Sequence, residues 1–207
     1  MNKILAIVQA RMESKRFPGK VLKVVKNKSL LELLLNRLII SKKISQIIVV
    51  TTKQESDNII AKLVNSLGLN LYRGSTTNVL ESYYNAALMH QAEIIVRITG
   101  DCPIIDPGIV EQTIQMYKAH NVDYASNVMV RSYPDGMDVQ VFTLETLIKS
   151  ASMTNDPLDI EHVSLHIRNN PELFTRVHLV APPELHWPEL GLTLDEKKDF
   201  DLISTVI

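Results

Sequence analysis

The stretch Ile4-Leu5-Ala6-Ile7-Val8-Gln9-Ala10-Arg11-Met12-Glu13-Ser14-Lys15-Arg16-Phe17-Pro18-Gly19-Lys20 decides how the rest of the chain reads. Its opening apolar run, Ile4 to Val8, is far too short for a membrane span or the core of a secretory leader. Without polar alternation, the run reads as a buried strand. The loop from Gln9 to Lys20 then carries Arg11, Lys15, Arg16 and Lys20 against one carboxylate, Glu13. A buried strand feeding a cationic loop suits an open α/β sheet, where ligands sit beyond the C-terminal ends of the strands. Guanidinium forks and an ammonium suit phosphate oxygens, and Pro18-Gly19 lets the loop turn around them. A solvated basic loop is the plainer alternative.

Outward from this stretch, strand and helix patterns alternate. Ser29 and Glu32 make a capping box for a helix whose apolar stripe is Leu31, Leu34, Leu35 and Leu38. Residues 46–52 are a β-branched strand, and a helix near 56–67 is stopped by Gly68. Strands are expected at 69–73 and 93–98, with Asn78 and Glu81 opening the helix between them. Asp106-Pro107 starts a helix that runs to about His120. This order means βαβ units and an α/β, three-layer, mostly parallel sheet. Beyond Asn127, turn residues 132–136 precede a strand at 137–142. A helix runs from Asp156 toward Pro171, a strand covers 174–180, and a short strand at 192–194 leads to a last helix from about Glu196. The chain therefore divides into a first half (about 1–127), a lobe inserted over the same sheet (about 128–191), and a returning strand and helix (192–207). Trp187, in a Pro-rich turn, is expected to pack the lobe.

Of the 207 residues, 45% are hydrophobic, and 22 Lys+Arg face 23 Asp+Glu for a formal net charge of −1. That apolar fraction excludes a disordered chain, and the charge balance excludes a general nucleic-acid coat. Any anion must be held by a local cluster that the total conceals. A single cysteine, Cys102, excludes an internal disulfide framework and a cysteine-rich zinc site, and cytoplasm is the expected compartment. No membrane association is expected.

The strand ends supply the candidate chemistry. Thr99-Gly100-Asp101-Cys102-Pro103 follows a buried strand. Gly100 permits close backbone approach, and Asp101 either projects as a metal ligand or caps a turn. Asp195, after Leu192-Thr193-Leu194, reads by itself as a helix N-cap. A P-loop is excluded because Val21 follows Gly19-Lys20 and the upstream glycine is missing. There is no G-x-G-x-x-G after the first strand either. A magnesium ion would need carboxylates from elsewhere, with substrate phosphates and water completing its shell. His162 and His166 are four apart but lack the glutamate of a zinc-protease motif. Cys102 reads as a small buried thiol.

The segment from Ala6 to Leu22 resembles the signature of sugar-acid cytidylyltransferases. Within that family it is most like the spore coat polysaccharide biosynthesis protein F type, which is similar to CMP-3-deoxy-manno-octulosonate and CMP-N-acetylneuraminate synthetases. The resemblance continues, in family order, through Arg73-Gly74-Ser75, Arg97 to Pro103, Tyr133 to Asp138, Glu161-His162-Val163 and Leu194-Asp195. It implies a Rossmann-like sheet of the nucleotidyltransferase and glycosyltransferase-A type. It also implies CMP transfer from CTP to a sugar, with pyrophosphate released, in surface or spore-coat polysaccharide synthesis. Arg11 and Lys20 would hold the phosphates, with Ala10, Arg73, Gly74, Ser75 and Thr99 around base and ribose. Asp101 and Asp195 would be the Mg²⁺ carboxylates. Asp135, Asp138, Glu161 and His162 would lie on the acceptor side. A homodimer follows from the resemblance alone.

Two departures from the family pattern stand out. Glu13 occupies a position where many relatives carry a small residue; it either repels the triphosphate or points to solvent. Relatives usually continue beyond the position of Ile207. Two rival functions remain at this level: a nucleotide-sugar-dependent glycosyltransferase, although Asp101 is not part of a D-x-D motif, and a non-catalytic nucleotide-sugar binder.

Overall fold

The computed structural model describes residues 3–207. In chain order, β1 (Ile4–Gln9) runs into the cationic loop, and a 3-10 turn at Lys20–Leu22 leads to a small hairpin, β2 (Val24–Val25) and β3 (Lys28–Ser29). Then come α1 (Leu30–Ile39), β4 (Gln46–Thr52), α2 (Asn58–Ser66), β5 (Asn70–Gly74), α3 (Val79–Met89), β6 (Ile94–Thr99) and α4 (Pro107–Ala119). The remainder is β7 (Tyr124–Ser126), β8 (Gln140–Thr143), α5 (Leu144–Met153), α6 (Pro157–His162), α7 (Leu165–Asn169), β9 (Arg176–His178) and α8 (Lys197–Val206). None of the described helices is long and apolar enough to cross a membrane.

The main sheet has the order β5-β4-β1-β6-β8-β7-β9. β1 pairs in parallel with both β4 and β6, whereas β8 is antiparallel to its neighbours. The chain therefore leaves β1 toward β4 and β5, then returns to place β6 on the opposite side. The switch point of the sheet lies between β1 and β6, beyond Gln9 and Thr99. β8, β7 and β9 continue this sheet beyond β6.

Alternation along the strands divides the core. Ala6 and Val8 face α1 and α4, packing among Leu31, Leu34, Leu35, Leu38, Ile109 and Ile114. Leu5 and Ile7 face the opposite layer, with Tyr83 and Ala86 of α3 and Leu147 of α5. Each fully buried aliphatic side chain contributes about 1.5–3 kcal/mol relative to exposure, so these layers fix the strand ends on which the site is built.

Several expectations change. Ser29 caps α1 by accepting from the Glu32 N–H (3.1 Å), but the reciprocal half of the capping box does not form; Ser29 lies on β3, in register with Val24. The strand expected at 137–142 is shorter, and the one expected at 192–194 does not form. Instead, Leu192 and Leu194 donate separately to the carbonyls of Asp135 (2.7 Å) and Asp101 (2.8 Å). The helix expected from Asp156 to Pro171 is two helices, broken where buried Val163 takes a positive φ of 56°. The helix α5 was not among the expected elements; Thr143 caps it by accepting from the Thr146 N–H (3.0 Å). Trp187 does not pack the lobe; it is 59% exposed.

Gly136 fixes the returning segment at close range. Its φ is +99°, and a Cβ there would lie 2.6 Å from the Leu192 carbonyl carbon. Gly136→Ala is expected to lower the free energy of unfolding by about 2–4 kcal/mol, combining backbone strain with overpacking. At Gly191, where an added Cβ meets nothing within 4 Å, alanine should be neutral or stabilising by about 0.4–1 kcal/mol. Urea denaturation of the two variants checks this contrast.

Candidate active site

At the switch point two loops nearly touch. The Gly100 N–H donates to the Gln9 carbonyl (2.8 Å), and a Cβ on Gly100 would sit 2.7 Å from that oxygen and 3.1 Å from the Ala10 Cβ. Only glycine lets the loop that bears Asp101 lie against the root of the cationic loop. The cationic loop is itself braced. The Gly19 N–H reaches the Met12 carbonyl (2.9 Å), and Gly19 adopts a left-handed φ of 68°. The Met12 N–H donates to Asp57 Oδ1 (2.7 Å).

Asp57 was not singled out by the sequence, where it looks like an ordinary helix-start residue. Its carboxylate turns inward instead, 1% exposed. There it accepts the Thr52 N–H (3.1 Å) and the Thr52 hydroxyl (2.5 Å). It thereby links the end of β4 to the cationic loop.

Lys20 projects from that loop into the space between the two aspartates. Its ammonium donates to Asp195 Oδ1 (2.8 Å) and to the Leu194 carbonyl (2.6 Å), and lies 3.5 Å from Asp101 Oδ2. Arg16 adds a second cation at Asp195 Oδ2 (2.9 Å). Asp195 is free to make these contacts because it does not cap α8. Glu196 is the N-cap, and the Asp199 carboxylate accepts the N–H groups of both Asp195 and Glu196. Partial burial pushes the Asp195 carboxyl up, but Lys20 and Arg16 outweigh it and hold its pKa below the ordinary value.

These groups line a cleft of about 1010 Å³ that also includes Ala10, Arg11, Thr99, Glu161 and His162. A small adjoining recess of about 20 Å³ lies between Gln9-Ala10, the end of β4 and Ser75-Thr76. Arg11 faces Glu161 across the cleft (3.3 Å), and the break at Val163 leaves Glu161 and His162 at the end of α6. It also separates His162 from His166, whose Nδ1 is turned to Asp159 (3.2 Å). Glu13 is exposed on the cleft wall.

Four of the expected site residues are not among those lining the cleft or the recess. Arg73 lines neither space; its guanidinium is spent on the Thr52 carbonyl (2.9 Å), Asn58 Oδ1 (2.6 Å) and the Gln54 carbonyl (2.7 Å). Gly74 packs its backbone on Ser82, whose Oγ lies 2.1 Å from where a Cβ would be. Asp135 and Asp138 both pair with Arg131 (3.0 and 2.8 Å), outside the cleft lining. Burial raises the Asp138 pKa against the opposing pull of Arg131. Cys102 is buried, as expected, with a thiol pushed well above its usual range by burial and by Asp101.

The donor set suits a magnesium ion. Asp101 and Asp195 already converge on one cationic point, the Lys20 ammonium. Among the described residues no group of three or more His, Cys, Asp or Glu side chains forms a protein cage. Mg²⁺ commonly binds one or two carboxylates and completes its shell with substrate phosphates and water.

Because the folded Asp195 carboxyl is more acidic than in the unfolded chain, its ion pairs stabilise the fold above the ordinary Asp value of about 3.9. They are lost as pH falls through the lower, folded value. Lys20→Met is expected to move the Asp195 titration upward, measured by carboxyl ¹³C NMR. An unchanged titration would contradict the pairing.

Comparison with known proteins places this geometry. A family model described as Cytidylyltransferase matches residues 5–198. An uncharacterized protein of Methanocaldococcus jannaschii is 40% identical over 97% of this chain and 81% of its own length. The spore coat polysaccharide biosynthesis protein SpsF of Bacillus subtilis is 32% identical over 100% of this chain and 87% of its own. A 3-deoxy-manno-octulosonate cytidylyltransferase of Solibacter usitatus is 28% identical over 67% of this chain and 54% of its own. Among solved structures, a cytidylyltransferase from Leptospira borgpetersenii superposes with a TM-score of 0.94 at 29% identity, over 99% of this chain and 86% of that one. With a match along nearly its whole length, and with the cationic loop, Asp101 and Asp195 gathered beside the sheet's switch point, the chain belongs to the cytidylyltransferase family.

Proposed function

We propose that the chain transfers CMP from CTP to a hydroxyl of a 2-keto sugar acid, releasing pyrophosphate. The observation that carries this reading is the convergence of Lys20, Asp101 and Asp195 beside the switch-point cleft. Support for the acceptor class comes from the likeness to 3-deoxy-manno-octulosonate cytidylyltransferases. The likeness to SpsF supports a role in surface or spore-coat polysaccharide synthesis. Use of CTP suits a cytoplasmic enzyme, and a homodimer is part of the same reading.

In the proposed reaction the acceptor oxygen attacks the α-phosphorus of CTP. The bond from that phosphorus to the oxygen bridging the β-phosphate breaks, pyrophosphate leaves with the bond's electron pair, and the acceptor hydroxyl gives up its proton to solvent water. When bound by Asp101 and Asp195, Mg²⁺ supplies Lewis-acid stabilisation of charge on the phosphate. Lys20 and Arg11 exchange their carboxylate partners for phosphate oxygens and offset charge on the departing pyrophosphate. For Arg11 that exchange costs little. Its pair with Glu161 is exposed on both sides, and such pairs contribute about 0–1 kcal/mol. The nucleoside lies on the Gln9-Ala10 and Ser75-Thr76 side of the cleft, and Glu161 and His162 stand on the acceptor side. Preorganised charge and position carry this chemistry without a covalent nucleophile. That is consistent with a buried, protonated Cys102.

The test is pyrophosphate release from CTP, Mg²⁺ and a panel of sugar acids. Asp101→Asn is expected to lower kcat by about 10²–10³, the cost of one preorganised electrostatic contact, with an unchanged circular dichroism spectrum. Normal turnover in the variant would overturn the role of Asp101. Absence of pyrophosphate release across the panel, with hydrolysis of a UDP-sugar instead, would favour a glycosyltransferase on the same fold.

A further inference from the structure

Arg97 is a buried cation that the chain leaves without a counter-ion. It is 7% exposed and lies on β6, in register with Ile7 of β1 and Gln140 of β8. Its Nε has no hydrogen-bond partner. Among the described residues no carboxylate pairs with its guanidinium. The nearest polar side chain in register offers nothing, because Gln140 Oε1 already accepts from the hydroxyls of Tyr124 and Ser164. What faces the cation is the Tyr83 ring, 6.0 Å from the guanidinium carbon to the ring centroid. An aromatic face offsets part of the charge but accepts no N–H.

Arginine stays protonated inside proteins, so this site cannot relieve itself by losing a proton. Buried charges ordinarily come paired. An unpaired guanidinium opening on a cleft is therefore a receptor awaiting an anion. Arg97 lines the large cleft together with Thr99, Glu161 and His162. Its strand lies on the β8 side of β1, whereas the small recess lies against β4 and Ser75 on the other side. Arg97 and that recess are thus set on opposite sides of β1.

We infer that Arg97 receives the carboxylate of the acceptor, so that recognition of an acidic sugar, rather than a neutral one, rests on this residue. The inference deepens the reading of the chain as a sugar-acid cytidylyltransferase and depends on it for the acceptor's place in the cleft. A planar guanidinium can hold a carboxylate through two parallel hydrogen bonds. A hydrogen bond to a charged group corresponds to a difference of about 10- to 100-fold in affinity.

The test is binding, read independently of turnover. The full chain is titrated calorimetrically with 3-deoxy-manno-octulosonate and N-acetylneuraminate, each against its neutral methyl ester, and separately with CTP. Wild type is expected to prefer at least one acid over its ester by about tenfold or more. Arg97→Gln should erase that preference and Arg97→Lys should retain part of it, while CTP affinity stays within about twofold in both variants. Loss of folding alone would not remove acid-over-ester discrimination while sparing CTP. The inference is overturned if wild type shows no such preference, if Arg97→Gln keeps it, or if Arg97→Gln weakens CTP instead, which would assign the cation to a nucleotide phosphate. Failure of the CMP-transfer reading shows separately, as absent pyrophosphate release from wild type.

Discussion

The Lys20 ammonium ties three parts of the chain that share no strand pairing: the end of the cationic loop, the strand end at Asp101, and the returning segment at Leu194-Asp195. Its side chain is 13% exposed, so the charge is tolerated only because two carboxylates and a carbonyl surround it. The returning segment depends on this arrangement because it forms no strand. It is held by isolated backbone bonds to Asp135 and Asp101, by the close approach at Gly136, and by the Lys20 contacts. The contact that positions Asp195 is also one that a nucleotide phosphate would compete for. Structure and proposed chemistry therefore use the same charge.

The scaffold beneath this contact is rigid where it needs to be. Buried β1 and β6 run in parallel with their ends joined by the Gly100–Gln9 bond, and buried Asp57 fixes the Met12 N–H at the start of the cationic loop. Strain appears on the opposite wall. Val163, β-branched and buried, sits at a positive φ immediately after Glu161 and His162. Such a conformation is costly for a β-branched residue and persists only where packing enforces it. Here it ends α6 with both side chains at the cleft.

Much of the first half was legible because its signals are local. Strands such as residues 46–52 are uninterrupted β-branched runs, and the caps at Ser29, Asn78 and Asp106 each meet the N–H groups that their spacing implies. The second half was less legible because its elements are short and defined by distant partners. β7 is only Tyr124–Ser126, too brief for a periodic pattern, and the Val163 break has no glycine or proline to announce it. In the site, the cationic loop and Asp101 could be read from the residues, because charge type and strand-end position are sequence properties. The role of Asp195 could not, since whether it caps α8 depends on Glu196 and Asp199 taking that task. Arg97 stood only at the head of a segment that carries the resemblance, with no role attached to it. A charged residue inside an apolar strand shows its significance only when burial and the lack of a partner are seen together.

The central claim is that the Lys20 position between the two aspartates is a cation site and that the lysine yields it to a metal when its ammonium takes a nucleotide phosphate. The most direct measurement is a crystal structure of the full chain with CTP and Mn²⁺, located by anomalous scattering. The account predicts a metal peak shared by Asp101 and Asp195, with the Lys20 ammonium moved from the carboxylates to a phosphate oxygen. A nucleotide-bound structure in which Lys20 still bridges both aspartates and the metal lies elsewhere would contradict it.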